Sequence, residues 1–152
     1  MEIKKAEIKE IDEIKQLYQV LFSDMAKLQP EYFKTAKQDI EFLKMIMGND
    51  DSDILIAKDT KVIGLALVQK QKTPPYGCIV EHQYTYLMDL VVDPNFRGQG
   101  VGKQLIESVK DWTLERNLEY VELMVLSENK KAIDLYEQLN FKENMKTMRM
   151  KL

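Results

Sequence analysis

The chain has 152 residues, of which 45% are hydrophobic and 31% charged, an ordinary soluble composition with room for one domain and one core. Its apolar runs are only a few residues long, which excludes a membrane-spanning helix. A formal charge of −3 without any basic block argues against nucleic-acid binding and is compatible with a cationic substrate.

In chain order, Ile3 to Ala6 reads as a short first strand. From Ile8 the apolar residues Ile11, Ile14, Leu17, Tyr18, Leu21 and Phe22 recur at three- and four-residue spacing, which predicts an amphipathic helix. Pro30 interrupts it, and Phe33, Ala36, Ile40, Leu43 and Met47 predict a second helix, closed by Gly48-Asn49-Asp50-Asp51. Asp53 to Ala57 and Val62 to Val68 read as a hairpin around Asp59-Thr60-Lys61. After a Thr73 to Gly77 loop, Ile79 to Val92 predicts a long, bulged strand, and Lys103 to Arg116 a helix with Leu105, Ile106, Val109 and Trp112 on one side. Tyr120 to Leu126 predicts a strand and Lys130 to Leu139 a short helix. Phe141 opens a last strand, with clear alternation over Met148 to Leu152. The order β-α-α-β-β-β-α-β-α-β, without repeat or linker, predicts one α/β domain over residues 1–152 with a mixed sheet.

The stretch Asn95-Phe-Arg-Gly-Gln-Gly-Val-Gly-Lys103 places Gly98, Gly100 and Gly102 between a strand and a helix. Glycine is used where the backbone takes unusual angles or lies close to a neighbour. A dinucleotide fingerprint begun at Gly98 or Gly100 needs its third glycine where Lys103 or Leu105 stands, and a P-loop needs glycine in place of Arg97. Both spacings fail. What remains is R-x-x-G-x-G, an anion cradle at a helix N-terminus with Arg97 and Lys103 at its ends; close helix–sheet packing is the structural alternative.

The stretch YLMDLVVDPNFRGQGVGKQLI resembles the strand, loop and helix of the GCN5-related N-acetyltransferase (GNAT) superfamily, acyl-CoA-dependent enzymes. A second stretch, ELMVLSENKKAIDLYEQLNF, is similar to the family's later strand and helix, with Asn129 and Tyr136 seven residues apart. The resemblance implies a GNAT-like fold, a mostly antiparallel twisted sheet flanked by helices, and acetyl-CoA as co-substrate. It implies CoA contacts from the backbone of Leu90, Val91 and Val92, from Arg97, Gly98, Gln99, Gly100, Val101, Gly102 and Lys103, and from Asn129, Ala132 and Tyr136. The strands ending at Val92 and Leu126 are expected to splay apart around the acyl arm.

The implied reaction is direct attack of a neutral primary amine on the thioester, with Tyr136 as general acid to the departing thiolate. An alkyl amine with a pKa near ~10.4 needs a proton acceptor. The positions where many relatives carry a carboxylate or histidine, nine or eleven residues before Arg97, hold Met88 and Tyr86. Asp89 remains as base or substrate anchor, although strand alternation turns it away from Tyr86 and Met88 unless a bulge intervenes. Glu81 is a second candidate base, reaching the cleft only if the strand bends. A water relay past Tyr84 or Tyr86 is a third route, and His82, the single histidine, reads as structural or exposed.

Phe22, Tyr32, Phe33, Tyr76, Tyr84 and Tyr86 are candidate linings for the acceptor site, and Met88, Met124, Met148 and Met150 for the core or cleft. No metal-ligand spacing is present. One cysteine, Cys78, and a start without a secretory apolar core lead to a cytoplasmic expectation. The expected partner is an amine, on a small molecule or on a peptide or protein; no nucleic acid or membrane is expected. An exposed edge on the C-terminal strand offers one surface for a homodimer. The alternative to an enzyme is a CoA-binding sensor or interaction module that has lost turnover.

Overall fold

In the computed structural model, which describes residues 1–152, apolar alternation in the strands and helical periodicity on both sides meet across one sheet. The strands are β1 (Glu2–Lys5), β2 (Ser52–Lys58), β3 (Val62–Lys72), β4 (Gln83–Val92) and β5 (Val121–Leu123), in spatial order β1-β2-β3-β4-β5. All pairs are antiparallel except β4 with β5, which is parallel. The helices are α1 (Ile11–Leu28), α2 (Ile40–Met47), α3 (Val101–Glu115) and α4 (Lys130–Gln138).

Each face of the sheet is covered by the helix whose apolar stripe matches it. Ile14, Leu17 and Tyr18 of α1, with Leu43 and Ile46 of α2, pack on Ile54, Ile56, Leu65, Leu67 and Val91. Val101, Leu105, Val109 and Trp112 of α3 pack on Leu55, Ala57, Ala66, Val68 and Leu87 from the other side. The two central strands β2 and β3 are therefore buried on both faces and read as nearly continuous apolar runs.

Four boundaries differ from the sequence expectations. α2 starts at Ile40 rather than near Phe33, because the Asp39 carboxylate accepts from the Glu41 amide and caps it there. β4 starts at Gln83 rather than Ile79; the Thr73 hydroxyl accepts from the His82 amide, donates to the Val80 carbonyl and holds the preceding loop. β5 spans three residues rather than Tyr120 to Leu126. The last strand expected from Phe141 is not formed. Residues 142–152 make no backbone–backbone hydrogen bond. Met124, Met148 and Met150, expected in core or cleft, are exposed, whereas Met88 packs against the α1 side.

Candidate functional site

β4 has β3 along one edge for its whole length, but β5 lies along the other only from Thr85 to Leu87. Beyond that point the second edge of β4 is unpaired through Met88, Asp89, Leu90, Val91 and Val92. The parallel strands thus part at their C-terminal ends, the place where open α/β sheets present ligand sites. Val91 is buried on the α1 side, and Leu90 and Val92 lean on the α3 side.

After β4, a short 3-10 turn at Pro94–Phe96 leads into the glycines. Gly98 and Gly100 have φ of +75° and +83°, and a Cβ added to either would meet nothing within 4 Å. Their side is open and their backbone is left-handed, so glycine is needed for conformation. Gly100 is also the N-cap of α3 and has no side chain to cap with. The first bond is donated by the Gln104 amide to the Gly100 carbonyl, leaving the amides of Val101, Gly102 and Lys103 without a backbone acceptor. This cradle of free amides at a helix N-terminus suits a pyrophosphate.

Gly102 serves differently. A Cβ there would lie 3.2 Å from Leu135 of α4 and 3.9 Å from Val92, so this glycine allows α4 to close on the end of β4. The packing alternative is correct at this one position. The two cations also separate. Arg97 donates from Nε to the Val92 carbonyl at 3.0 Å and pairs with Asp24 of α1 at 2.8 Å. Lys103 is exposed without a carboxylate partner, and Gln99 reaches the Asn95 carbonyl at 3.4 Å.

Asn129 caps α4 by accepting from the Ala132 amide at 3.2 Å. One turn on, Tyr136 packs obliquely on Phe141, and its hydroxyl has no protein partner. Burial pushes its pKa up to about 12, so the phenol keeps its proton at neutral pH.

Asp89 lies where alternation alone does not place it. Leu67 pairs with Asp89 and the next residue, Val68, pairs with Leu87, so Met88 is an extra residue in β4. This bulge turns Asp89 onto the face that also carries Tyr84 and Tyr86, opposite Gln71 and Gln69 of β3. The Tyr18 hydroxyl donates to Asp89 Oδ2 at 2.7 Å. Burial raises the carboxyl pKa above the ordinary Asp value, and the Tyr18 bond partly offsets it.

Glu122, which the sequence reading did not single out, faces the same space. It pairs in register with Tyr86, and its charge raises the pKa of Tyr84, Tyr86 and Tyr120, in each case after burial. Tyr84 and Tyr120 stack at 4.8 Å, forming a flat aromatic wall. The clue available beforehand was that Glu122 interrupts the apolar residues of a strand expected beside the cleft.

Glu81 is not brought to this group. It is exposed in the loop before β4, beside His82, Gln83, Asn117 and Glu119, at the end of the strand away from the glycines. His82 bonds Glu119 at 2.9 Å, a surface pair. Tyr32 and Tyr76 are exposed, while Phe22 packs beside Tyr18. No group of three or more His, Cys, Asp or Glu side chains is arranged to hold a metal ion, and no helix is long and apolar enough to cross a membrane.

Comparisons with known proteins bear on the family and the fold. The model of the Acetyltransferase (GNAT) family matches residues 12–141. An uncharacterized N-acetyltransferase of Bacillus subtilis is 31% identical over 132 residues, covering 80% of this chain and 86% of that protein. One from Methanocaldococcus jannaschii is 26% identical, covering 87% of this chain and 58% of that protein. A thialysine N-epsilon-acetyltransferase of Sus scrofa is 41% identical over 58 residues, 38% of this chain and 34% of that protein. The chain thus spans little more than half the length of the archaeal relative and a third of the porcine one. Among solved structures, a mutant of the Bacillus halodurans protein BH1408 superposes with a TM-score of 0.95 at 21% identity, covering 100% of this chain and 99% of that one. An aminoglycoside N-acetyltransferase in complex with CoA gives 0.75 at 20% identity, covering 99% and 98%.

Proposed function

The chain belongs to the GNAT acetyltransferase family, and from that premise we propose that it transfers the acetyl group of acetyl-CoA to a primary amine. The observation that carries the proposal is the conjunction of two left-handed glycines, an uncapped α3 N-terminus and the unpaired edge of β4 beside them. The amides of Val101, Gly102 and Lys103 hold the pyrophosphate, with Lys103 as the available cation. The free edge from Leu90 to Val92 hydrogen-bonds the acyl arm, and an amide there polarises the thioester carbonyl.

The amine nitrogen bonds to the carbonyl carbon as the carbon–sulfur bond breaks. Asp89 takes the proton from nitrogen, directly or through water. Its raised pKa brings it closer to neutrality than an exposed aspartate, which suits a proton acceptor. Tyr136, still protonated, gives its proton to the sulfur. On the acceptor side, the Tyr84–Tyr120 wall and Glu122 favour an acceptor that is itself positively charged.

Thiol release from acetyl-CoA, measured across polyamines, aminoglycosides, amino acids and short peptides, tests the proposal together with calorimetric CoA binding. Acetylation of one class well above background supports it and names the acceptor. Tight CoA binding with silence across the panel favours the sensor reading, for which Met88 and Tyr86 in place of the usual base already argue. Absence of CoA binding overturns both. Gly100→Arg is expected to abolish binding, because the new side chain fills the cradle and its backbone is strained at positive φ; unchanged affinity in that variant moves the cofactor site elsewhere.

A further inference from the structure

The α1 side of the sheet ends in a polar and aromatic patch. Thr85 bonds Thr113 of α3 at 2.6 Å, so its neighbours Tyr84 and Tyr86 point to the opposite, α1 side. Val121 and Leu123 pack with the α3 core, so Glu122 between them also points to the α1 side. Tyr120 joins this face by stacking on Tyr84 at 4.8 Å, and Gln69 and Gln71 stand beside Tyr86 and Tyr84 on β3. The core under α1 and α2 takes in Leu65, Leu67 and Val91 but none of these six residues.

Glu122 is the carboxylate of this region without a partner. Asp89 accepts from Tyr18, Glu119 from His82 and the Gln83 amide, and Glu128 from Gln29. Glu122 is half-buried and in register with Tyr86, and no donor of the chain reaches its carboxylate. A partly dehydrated carboxylate against aromatic faces is complemented by an ammonium group, which meets the charge and lies on the rings at once.

Register sets how far this anchor stands from the reacting nitrogen. Because Met88 is the extra residue, Asp89 follows Tyr86 on the same face, and Glu122 lies one strand across from Tyr86. With strands ~4.8 Å apart and ~6.8 Å for each step along one face, the two carboxylates stand about 8 Å apart. An extended chain advances ~1.2 Å per bond, so two nitrogens that reach both are separated by about five or six carbon atoms.

Resting on the acetyl-transfer reading above, we propose that the acceptor is a linear diamine, with one nitrogen at Asp89 and the other, as an ammonium, held by Glu122 and the Tyr84–Tyr120 wall. The near nitrogen bonds to the acetyl carbon and gives its proton to Asp89, while the departing sulfur takes the Tyr136 proton. The far nitrogen keeps its proton and its charge. Acetylation stops at one end, because a second transfer would place a neutral amide against Glu122. Glu122 touches the substrate away from the reacting atoms and sets which amine is chosen.

The test compares straight-chain diamines from ethylenediamine to hexamethylenediamine, with pentylamine as the single-charge control. The kcat/KM for thiol release is expected to rise with length and to exceed that of pentylamine by about 10- to 100-fold at pentamethylenediamine or hexamethylenediamine. Mass spectrometry is expected to find one acetyl group per product. The isosteric Glu122→Gln should erase the diamine-to-pentylamine ratio, mainly through KM; a merely structural lesion lowers both rates and keeps the ratio. Pentylamine used as well as the diamines, or a ratio that survives in Glu122→Gln, overturns the diamine assignment while acetyl transfer stands. Silence with every amine overturns the transfer reading, and calorimetry in the presence of CoA then judges the anchor by itself. Pentamethylenediamine bound by the parent and about 10-fold more weakly by Glu122→Gln supports it. Equal binding, or none, overturns it.

Discussion

The corner where α1 begins and the middle of β4 each draw a carboxylate out of water, and they treat it in opposite ways. Glu10 is 1% exposed and receives Lys4 at 2.8 Å, Lys58 at 3.0 Å and the Glu7 amide at 2.7 Å. Burial alone raises its pKa, yet these donors hold it down at about 2. Asp89 is given one donor, the neutral Tyr18 hydroxyl, and its pKa is raised. The fully provided carboxylate fixes the junction of β1, β2 and α1. The under-provided one keeps lone pairs free on the face of β4 that carries Tyr84 and Tyr86. Partial satisfaction of a half-buried acid, beside an unpaired strand edge, is what the proposed reaction uses and a brace does not need.

The largest effect is expected from Tyr136→Phe, which leaves both carboxylates in place. Turnover should fall by about 10²–10⁴-fold, with CoA affinity nearly unchanged. Equal losses in both, measured by steady-state kinetics and calorimetry, would make Tyr136 a packing residue. Asp89→Asn should lower turnover within a similar range. Its effect on stability has the opposite sign to a core lesion. The folded protein holds the Asp89 proton at pH values where the unfolded chain has released it, so stability declines as pH climbs from the ordinary Asp range through the folded pKa. The Asn variant loses that decline, and its melting temperature at neutral pH should equal or exceed the parent's. A lower melting temperature would show Asp89 to be structural.

Glu10→Gln should do the reverse, lowering the melting temperature while kcat stays within a few-fold. Glu10 is depressed when folded, so its contribution is present above the ordinary Glu pKa and fades as pH drops toward about 2. The parent and Gln variant should therefore converge in acid; a constant gap down to that pH would contradict the assignment. The smallest and most specific effect belongs to Tyr18→Phe. Loss of its hydrogen bond raises the Asp89 pKa further, so the acid limb of the kcat/KM profile should move to higher pH. An unmoved limb would separate Tyr18 from the proton acceptor.

The helices and the glycine cradle were legible because each rests on a local signal: periodicity for α1 and α3, and glycine at positive φ for the loop. Asp89 was a candidate there, but its facing and its Tyr18 partner were not legible. Tyr18 and Asp89 are 71 residues apart, and nothing in Leu87-Met88-Asp89-Leu90 marks which residue is the extra one. Glu122 was missed because its meaning depends on a parallel register with Tyr86. The last strand expected from Phe141 is not formed, because a strand is a relation between two segments and alternation names only one of them.

The extra residue at Met88 makes β4 two strands in different phase. Upstream, Thr85 to Leu87 are in step with both β5 and β3; downstream, Leu90 to Val92 keep step with β3 alone. Residue count, rather than residue type, sets this joint. Removing Met88 would make Leu87 and Asp89 adjacent opposite Val68 and Leu67, so the bulge would be lost while Tyr84, Tyr86 and Asp89 kept their common face. Such a deletion would leave the glycine loop whole and take out the local bend between the two halves of β4.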